Sequence, residues 1–168
     1  GTLKIIDNIN ETLRDDLKAT IKTDTKVAIA ASYFSIYAFQ ELKDQLTDIA
    51  ELRFIFTSPT FLTEKTKKER REFDIPQLQR ERSLYGTEYE IKLRNELTQK
   101  AIARECAEWV RKKVVFKSNV TDEHMGGFIN VENDAGCFTY QPVNGFTTVD
   151  IGCEKGNNAY NFVTKLDA

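Results

Sequence analysis

Apolar and polar residues follow one another along the first third of the chain as expected of alternating helices and strands. A first helix is predicted by apolar residues at spacings of three and four, namely Ile6, Ile9, Leu13, Leu17 and Ile21. Asn8 or Asn10 can cap its start. The continuous apolar run from Val27 to Ala31 has the length of a strand, and it predicts a strand that is buried on both faces.

The same alternation continues as far as residue 56. A second amphipathic helix is predicted by Ile36, Phe39, Leu42 and Leu46, and a second buried strand by Leu52 to Phe56. Because a helix separates the two strands, we expect them to lie parallel and to be joined by a right-handed crossover. This order favours an α/β fold.

The rest of the chain predicts a long helix and then a meander of strands. A helical stripe runs from Tyr89 to Val110, and Val114 to Phe116 returns to β structure. Further strands are expected at Phe128 to Glu132, Cys137 to Val143 and Phe146 to Ile151. The turn Asn133 to Gly136 separates the first two, and Asn144-Gly145 predicts a type I′ hairpin between the last two. We therefore expect an α/β domain with a mixed sheet of about six or seven strands, flanked by helices.

Charge is distributed unevenly along the chain. The 168 residues carry a formal net charge of -2, so the molecule is not a polycation dedicated to phosphate binding. The segment from Glu64 to Lys113 holds 14 Lys or Arg against 10 Asp or Glu, a net charge of +4. Any surface for DNA or RNA is therefore expected to be local and to lie in this basic segment, residues 64–113.

Cysteine usage and hydropathy restrict the cellular setting. The three cysteines, Cys106, Cys137 and Cys153, form no C-x-x-C pair, so neither a disulfide framework nor a cysteine zinc site is expected, and a cytoplasmic location fits. No apolar stretch approaches the roughly 18 to 20 residues of a membrane-spanning helix, so no membrane partner is expected. The only methionine is Met125, from which we expect a domain excised from a longer protein.

Few residue patterns carry recognisable chemistry. The chain has neither a G-x-x-x-x-G-K-[ST] phosphate loop nor a G-x-S-x-G elbow, and its lone histidine excludes H-E-x-x-H, so no cofactor or metal is expected. The acidic pairs Asp15-Asp16 and Glu88-Glu90 are expected to be solvated. His124 is the candidate for acid, base or nucleophilic chemistry, and the alternative is an ordinary surface loop residue.

Two segments give the chain a family resemblance. Lys26-Val-Ala-Ile-Ala-Ala-Ser-Tyr-Phe-Ser35, and after a predicted helix Glu51-Leu-Arg-Phe-Ile-Phe-Thr-Ser58, resemble the N-terminal phospholipase D-like domain ahead of the motor in bacterial superfamily-two, Swi/Snf-type helicases. The resemblance implies that residues 1–168 form a single domain, one half of a phospholipase D-like pair, and the N-terminal part of a larger helicase. We expect a cleft lined by Tyr33, Phe34, Ser35 and Arg53.

The superfamily's catalytic signature is H-x-K-x-x-x-x-D, in which the histidine attacks phosphorus, the lysine binds a phosphate oxygen and the acid supports the histidine. With His124 in the histidine position, Gly126 occupies the lysine position and Val131 the acid position. The resemblance therefore implies a domain that lacks this chemistry.

Binding is the function that remains. The cations expected to contact phosphates are Lys65, Lys67, Lys68, Arg70, Arg71, Arg80 and Arg82. We expect a non-catalytic accessory domain that positions DNA, RNA or a partner for the ATP-driven motor of the same parent chain. Two alternatives stay open: a phosphodiesterase or nuclease that uses His124, and a pure protein-interaction module.

Overall fold

The computed structural model describes residues 1–57, 99–119, 121, 123–153 and 162–168. The strands are β1 (Leu3–Ile6), β2 (Lys26–Ala31), β3 (Glu51–Phe56), β4 (Val114–Ser118), β5 (Phe128–Asn133), β6 (Gly136–Gln141) and β7 (Val163–Asp167). The helices are α1 (Leu13–Thr20), α2 (Ile36–Glu41), α3 (Lys43–Thr47) and α4 (Gln99–Lys113). No helix in these ranges has both the length and the apolar character needed to cross a membrane.

The seven strands form one mixed sheet in the order β1-β7-β6-β5-β2-β3-β4. Strand β3 pairs in parallel with β2 on one side and with β4 on the other. All other neighbouring pairs in the sheet are antiparallel. The predicted α/β class, the mixed sheet and the parallel β2–β3 pair are therefore confirmed. The parallel group brings the carboxyl ends of three strands to one edge of the sheet, where α/β proteins commonly bind ligands.

One face of the sheet carries the aromatic part of the core. Phe34, which follows β2, packs its ring against Phe54 of β3 and Phe116 of β4, with ring centroids 5.3 and 5.5 Å away. Trp109 of α4 stacks on Phe34 at 6.2 Å and donates from Nε1 to the carbonyl of Leu46 in α3 at 2.7 Å. These contacts hold α3 and α4 on this face, and their apolar burial stabilises the carboxyl ends of the parallel strands.

Helix α1 packs on the same face through a carboxylate that was expected to be solvated. Asp15 is exposed, but Asp16 is only 6% exposed. Its carboxylate accepts from the Tyr140 hydroxyl at 2.6 Å and pairs with the ammonium groups of Lys4 and Lys165, each at 2.9 Å. The prediction for Asp16 was wrong because β1 covers this side of α1 together with β6 and β7, two strands that are distant from Asp16 in sequence.

The predicted start of the first helix is also wrong. Residues 3–6 form β1, and Ile9 is 73% exposed in the following loop. The helix begins at Leu13 after the cap Thr12, whose side chain accepts from the Asp15 amide at 3.1 Å. Asn8 instead accepts from the Leu13 amide at 2.7 Å. Ile6 is buried because β1 pairs with β7, a contact between chain ends that helical spacing does not encode.

Of the remaining predicted elements, the second helix is divided in two, and the strands after the long helix are present as far as β6. The second helix is two short helices, α2 and α3, separated at the buried Leu42. Strands β4, β5 and β6 are confirmed. Helix α4 coincides with the end of the predicted long helical stripe, whose earlier residues, 89–98, lie outside the described residues.

The predicted hairpin at Asn144-Gly145 is wrong. Neither residue has the positive φ that a type I′ turn requires, and residues 146–151 form no strand. Strand β6 ends at Gln141 because Pro142 has no amide hydrogen to donate to a ladder, and the partner of β6 beyond β5 is β7. Phe146 instead forms a single parallel bridge with Phe34.

Candidate functional site

A pocket of about 310 Å³ opens at the edge of the sheet where β2 and β3 end. It is lined by Ser32, Thr57, His124, Met125, Gly126, Gly127, Pro142, Val143 and Asn144. We refer to this set as the His124 pocket. Ser32 follows β2 and Thr57 follows β3, so the two parallel strands place a hydroxyl at the same edge. The position is the one that the topology of an open α/β sheet favours for a ligand.

Hydroxyl and amide groups connect the segments beneath the pocket. The Ser32 and Thr57 hydroxyls lie 3.2 Å apart, within hydrogen-bond distance. Asn119, just after β4, donates from Nδ2 to the carbonyl of Thr57 at 3.2 Å and to that of Glu123 at 3.0 Å. Asn119 therefore ties the residue before His124 to the carboxyl end of β3, which fixes where the imidazole enters the pocket.

Backbone hydrogen bonds form the opposite wall. The Ser32 amide donates to the Asn144 carbonyl at 2.7 Å, and the Phe146 amide donates to the Tyr33 carbonyl at 2.8 Å. The Ser35 amide in turn donates to the Phe146 carbonyl at 3.0 Å. Residues 144–146 thus extend the sheet beside residues 32–35, which gives the pocket a wall of regular backbone.

A carboxylate supports this wall from the inside. Burial raises the pKa of Asp150, and hydrogen bonds from the Thr147 hydroxyl and from the amides of Gly145 and Thr147 partly oppose the rise. The Thr147 hydroxyl donates to Asp150 Oδ2 at 2.5 Å. Asp150 therefore satisfies donors of the segment that carries Asn144, and it holds that segment against Ser32.

His124 is exposed and lines the pocket. Among the described lining residues, it is the one whose side chain can carry a charge. With His124 as the histidine of H-x-K-x-x-x-x-D, the lysine position holds Gly126, which has no side chain. The acid position holds Val131, which is 1% exposed in the middle of β5. Val131 lies on the core face, so no polar group at that position supports the imidazole.

The four residues expected to line a cleft are separated by the structure. Phe34 and Ser35 are both fully buried, Phe34 in the aromatic core and Ser35 as the cap whose hydroxyl accepts from the Tyr37 and Ala38 amides. Neither has exposed surface with which to line a cleft. Tyr33 is half-buried, and its ring lies beside Gly145. Arg53 is exposed on the opposite face of the sheet, 3.8 Å from the Glu51 carboxylate.

The other predicted site residues can be placed only in part. The seven cations expected to contact phosphates, Lys65, Lys67, Lys68, Arg70, Arg71, Arg80 and Arg82, lie outside the described residues. Cys106, Cys137 and Cys153 are free thiols. Within the described ranges, no group of three or more His, Cys, Asp or Glu side chains could hold a metal ion.

Sequence reasoning missed most of the pocket. It singled out His124 but not Ser32, Thr57, Asn119 or Asp150. A weak signal existed, because Ser32 and Thr57 each follow directly after an apolar strand-like run, and Asn119 follows three residues after Phe116. Strands predicted to be parallel should bring such polar residues to one edge. Asp150 had no signal, since its segment was expected to be a strand.

Comparison of this chain with known proteins found similarity among solved structures. No protein-family model and no curated protein matches it. Among solved structures it is similar to a histidine-to-arginine mutant of yeast tyrosyl-DNA phosphodiesterase 1, at 15% sequence identity and a TM-score of 0.45. The match covers 98% of this chain and 31% of that one, so the chain spans about a third of that structure's length. At this level of similarity, nothing about the site or its chemistry is inferred from the match.

Proposed function

We propose that this chain is a non-catalytic accessory domain of phospholipase D-like type that positions phosphate-bearing nucleic acid. The observation that carries the proposal is the composition of the His124 pocket. It brings one ionisable side chain together with the Ser32 and Thr57 hydroxyls at the carboxyl edge of β2 and β3. Imidazole and hydroxyl groups are side-chain groups that bind phosphate oxygens.

The same pocket supports binding better than catalysis. General acid–base or nucleophilic attack on a phosphodiester requires groups that activate the histidine and neutralise charge on the phosphate. Among the described residues, Gly126 and Val131 occupy the positions of the expected lysine and acid, and Val131 is buried. A bound phosphate would therefore be held without being attacked.

The parent protein is a further part of this proposal. The resemblance of Lys26 to Ser35 and of Glu51 to Ser58 to helicase N-terminal domains supports an ATP-driven motor in the same parent chain. In that setting the domain would present nucleic acid, or a partner, to the motor. Walker A and B motifs in the coding sequence downstream of Ala168 support this part of the proposal, and their absence contradicts it.

Titration with inorganic phosphate tests the pocket itself. We expect phosphate to shift the imidazole NMR signals of His124 and to bind several-fold more weakly to Thr57→Val and Ser32→Ala. The matched control is Thr139→Val, because the Thr139 hydroxyl donates to Asn130 on the opposite face of the sheet. Unchanged His124 signals at high phosphate would contradict the proposal.

A turnover assay distinguishes the competing enzyme. The protein should leave a generic phosphodiester and single-stranded DNA intact over long incubation. Cleavage that is abolished in His124→Ala would instead establish a phosphodiesterase or nuclease.

A further inference from the structure

The surface beside the His124 pocket holds a second, less polar groove. It has a volume of about 590 Å³ and is lined by Leu3, Gly126, Gly127, Phe128, Gln141, Pro142, Thr164 and Leu166. Strand register places its strand residues on the sheet face opposite the core: Leu3 pairs with Leu166 and Gln141 with Thr164. Leu3 is 63% exposed and Leu166 is 40% exposed, so this strand pair leaves apolar surface open to solvent.

The groove and the pocket are continuous. Gly126, Gly127 and Pro142 line both of them. A Cβ built on Gly126 would meet no atom within 4 Å, so the boundary at this residue is open. One end of the combined surface therefore offers the imidazole and hydroxyls of the pocket, and the other end offers apolar surface.

We propose that this groove is a nucleobase subsite, which receives the base next to a phosphate bound at His124. The inference rests on the proposed function and specifies the ligand of the same site. Phe128 provides an aromatic ring on which a base can stack, and stacking of this kind tolerates any sequence. Leu3 and Leu166 provide apolar surface in the same groove. Gln141 and Thr164 place polar side chains in the same groove, where they can bond base edges.

These polar side chains favour a base over an acyl chain. A phosphate headgroup with apolar tails would also match a polar pocket beside an apolar groove. An acyl chain, however, would cover the polar groups of Gln141 and Thr164 without giving them hydrogen-bond partners, which is unfavourable. The groove therefore fits a single-stranded, phosphate-bearing nucleotide end.

The experiment compares a short 5′-phosphorylated thymidine oligonucleotide with an abasic deoxyribose-phosphate strand of equal length. We expect the base-containing strand to bind about tenfold more tightly, the contribution of one stacked base. Leu166→Ser should remove most of this difference while changing the affinity for the abasic strand less than twofold. Gly126→Leu, which adds a side chain in open space, should weaken binding of the base-containing strand.

Val115→Ser is the matched control. Val115 is 52% exposed on the same sheet face, but it lies on β4 at the far edge from β1, so both affinities should stay unchanged. Leu166→Ser, Gly126→Leu and Val115→Ser all replace exposed or open positions, so each variant should have the melting temperature of the wild type.

Four results would overturn the inference. Equal affinity for the two strands, or equal effects of Leu166→Ser and Val115→Ser, would show that no base occupies the groove. Tighter binding of dihexanoyl phosphatidate, lost in Leu166→Ser, would assign the groove to acyl chains. If neither strand binds and phosphate leaves His124 unshifted, the proposed function fails together with this subsite.

Discussion

Asp16 is a buried carboxylate whose ionised form is stabilised by its neighbours. Burial acts to raise its pKa, but hydrogen bonds from Tyr140, Lys165 and Lys4 outweigh that effect and lower the pKa to about 2. Because the pKa is lower in the folded state than in the unfolded chain, the associated stability is present above about pH 4 and is lost as pH falls toward 2. The shift corresponds to about 2 kcal/mol.

Replacing Asp16 should change how the stability of the protein falls in acid. The free energy of unfolding, measured with urea, should fall less between about pH 4 and pH 2 in Asp16→Asn than in the wild type. Asp15→Asn, at the exposed neighbouring position, is the control and should follow the wild-type curve. Asp7 also has a lowered pKa of about 2 and remains in both variants. Parallel curves for wild type and Asp16→Asn would contradict the assignment.

Two adjacent glycines of the pocket have opposite requirements. A Cβ on Gly127 would lie 1.6 Å from the Val143 carbonyl oxygen and 2.9 Å from that of Ala30, both backbone atoms. A Cβ on Gly126 would meet nothing within 4 Å. We expect Gly127→Ala to lower the free energy of unfolding by about 1 to 3 kcal/mol or more, and Gly126→Ala to change it by less than about 0.5 kcal/mol. Thermal or urea unfolding measures both, and similar losses would contradict the described wall.

At the scale of elements, the segment from Pro142 to Ile151 acts as the wall of the pocket rather than as a strand. Thr147→Val keeps the side-chain shape but removes the hydroxyl that donates to the half-buried Asp150 carboxylate. We expect a loss of about 1 to 3 kcal/mol in the free energy of unfolding, because the carboxylate loses a hydrogen-bond donor. Thr139→Val on strand β6, whose hydroxyl bond is exposed, should lose much less. Equal losses would mean that Asp150 does not support the wall.

Elements that depend on neighbouring residues could be predicted from the sequence. Strands β2 and β3 are long apolar runs, and the intervening helical spacing made their parallel pairing predictable. Strand β1 and the burial of Asp16 depend on pairing between the two ends of the chain, which local periodicity does not encode. Asn144-Gly145 failed as a hairpin signal because Pro142 ends β6 before the turn could close.

The candidate site was predictable only at one residue for a related reason. His124 stands out because it is the only histidine. Ser32, Thr57 and Asn119 are common polar residues, and they become a site only when parallel strands carry them to one edge. That juxtaposition is a property of the sheet order, in which β4, β3 and β2 adjoin β5.

At the scale of the whole molecule, net charge sets how nucleic acid would bind. A chain of net charge -2 repels a polyanion at long range, so attraction must come from the basic segment within a Debye length of roughly 8 to 10 Å. If about three or four duplex phosphates are neutralised, the slope of log affinity against log salt should be about -3. Neutralising Lys67, Lys68, Arg70 and Arg71 together should remove most of this slope.

The control for this prediction is a pair of cations outside the basic segment. Lys18 and Lys22 are both exposed near α1, and their neutralisation should leave the slope nearly unchanged. An unchanged affinity and slope in the quadruple variant would make the basic segment an ordinary solvated surface and would leave the His124 pocket as the site of nucleic-acid binding.

Binding and cleavage of one oligonucleotide, measured together, test whether the His124 pocket binds nucleic acid without catalysis. Wild type and His124→Ala are each incubated with a 5′-phosphorylated single-stranded oligonucleotide, and the bound fraction and strand length are both determined. We expect the strand to stay intact with both proteins and to bind about tenfold more weakly to His124→Ala, the loss expected for one charge-assisted hydrogen bond. Equal affinity, or cleavage by wild type that His124→Ala abolishes, would contradict this expectation.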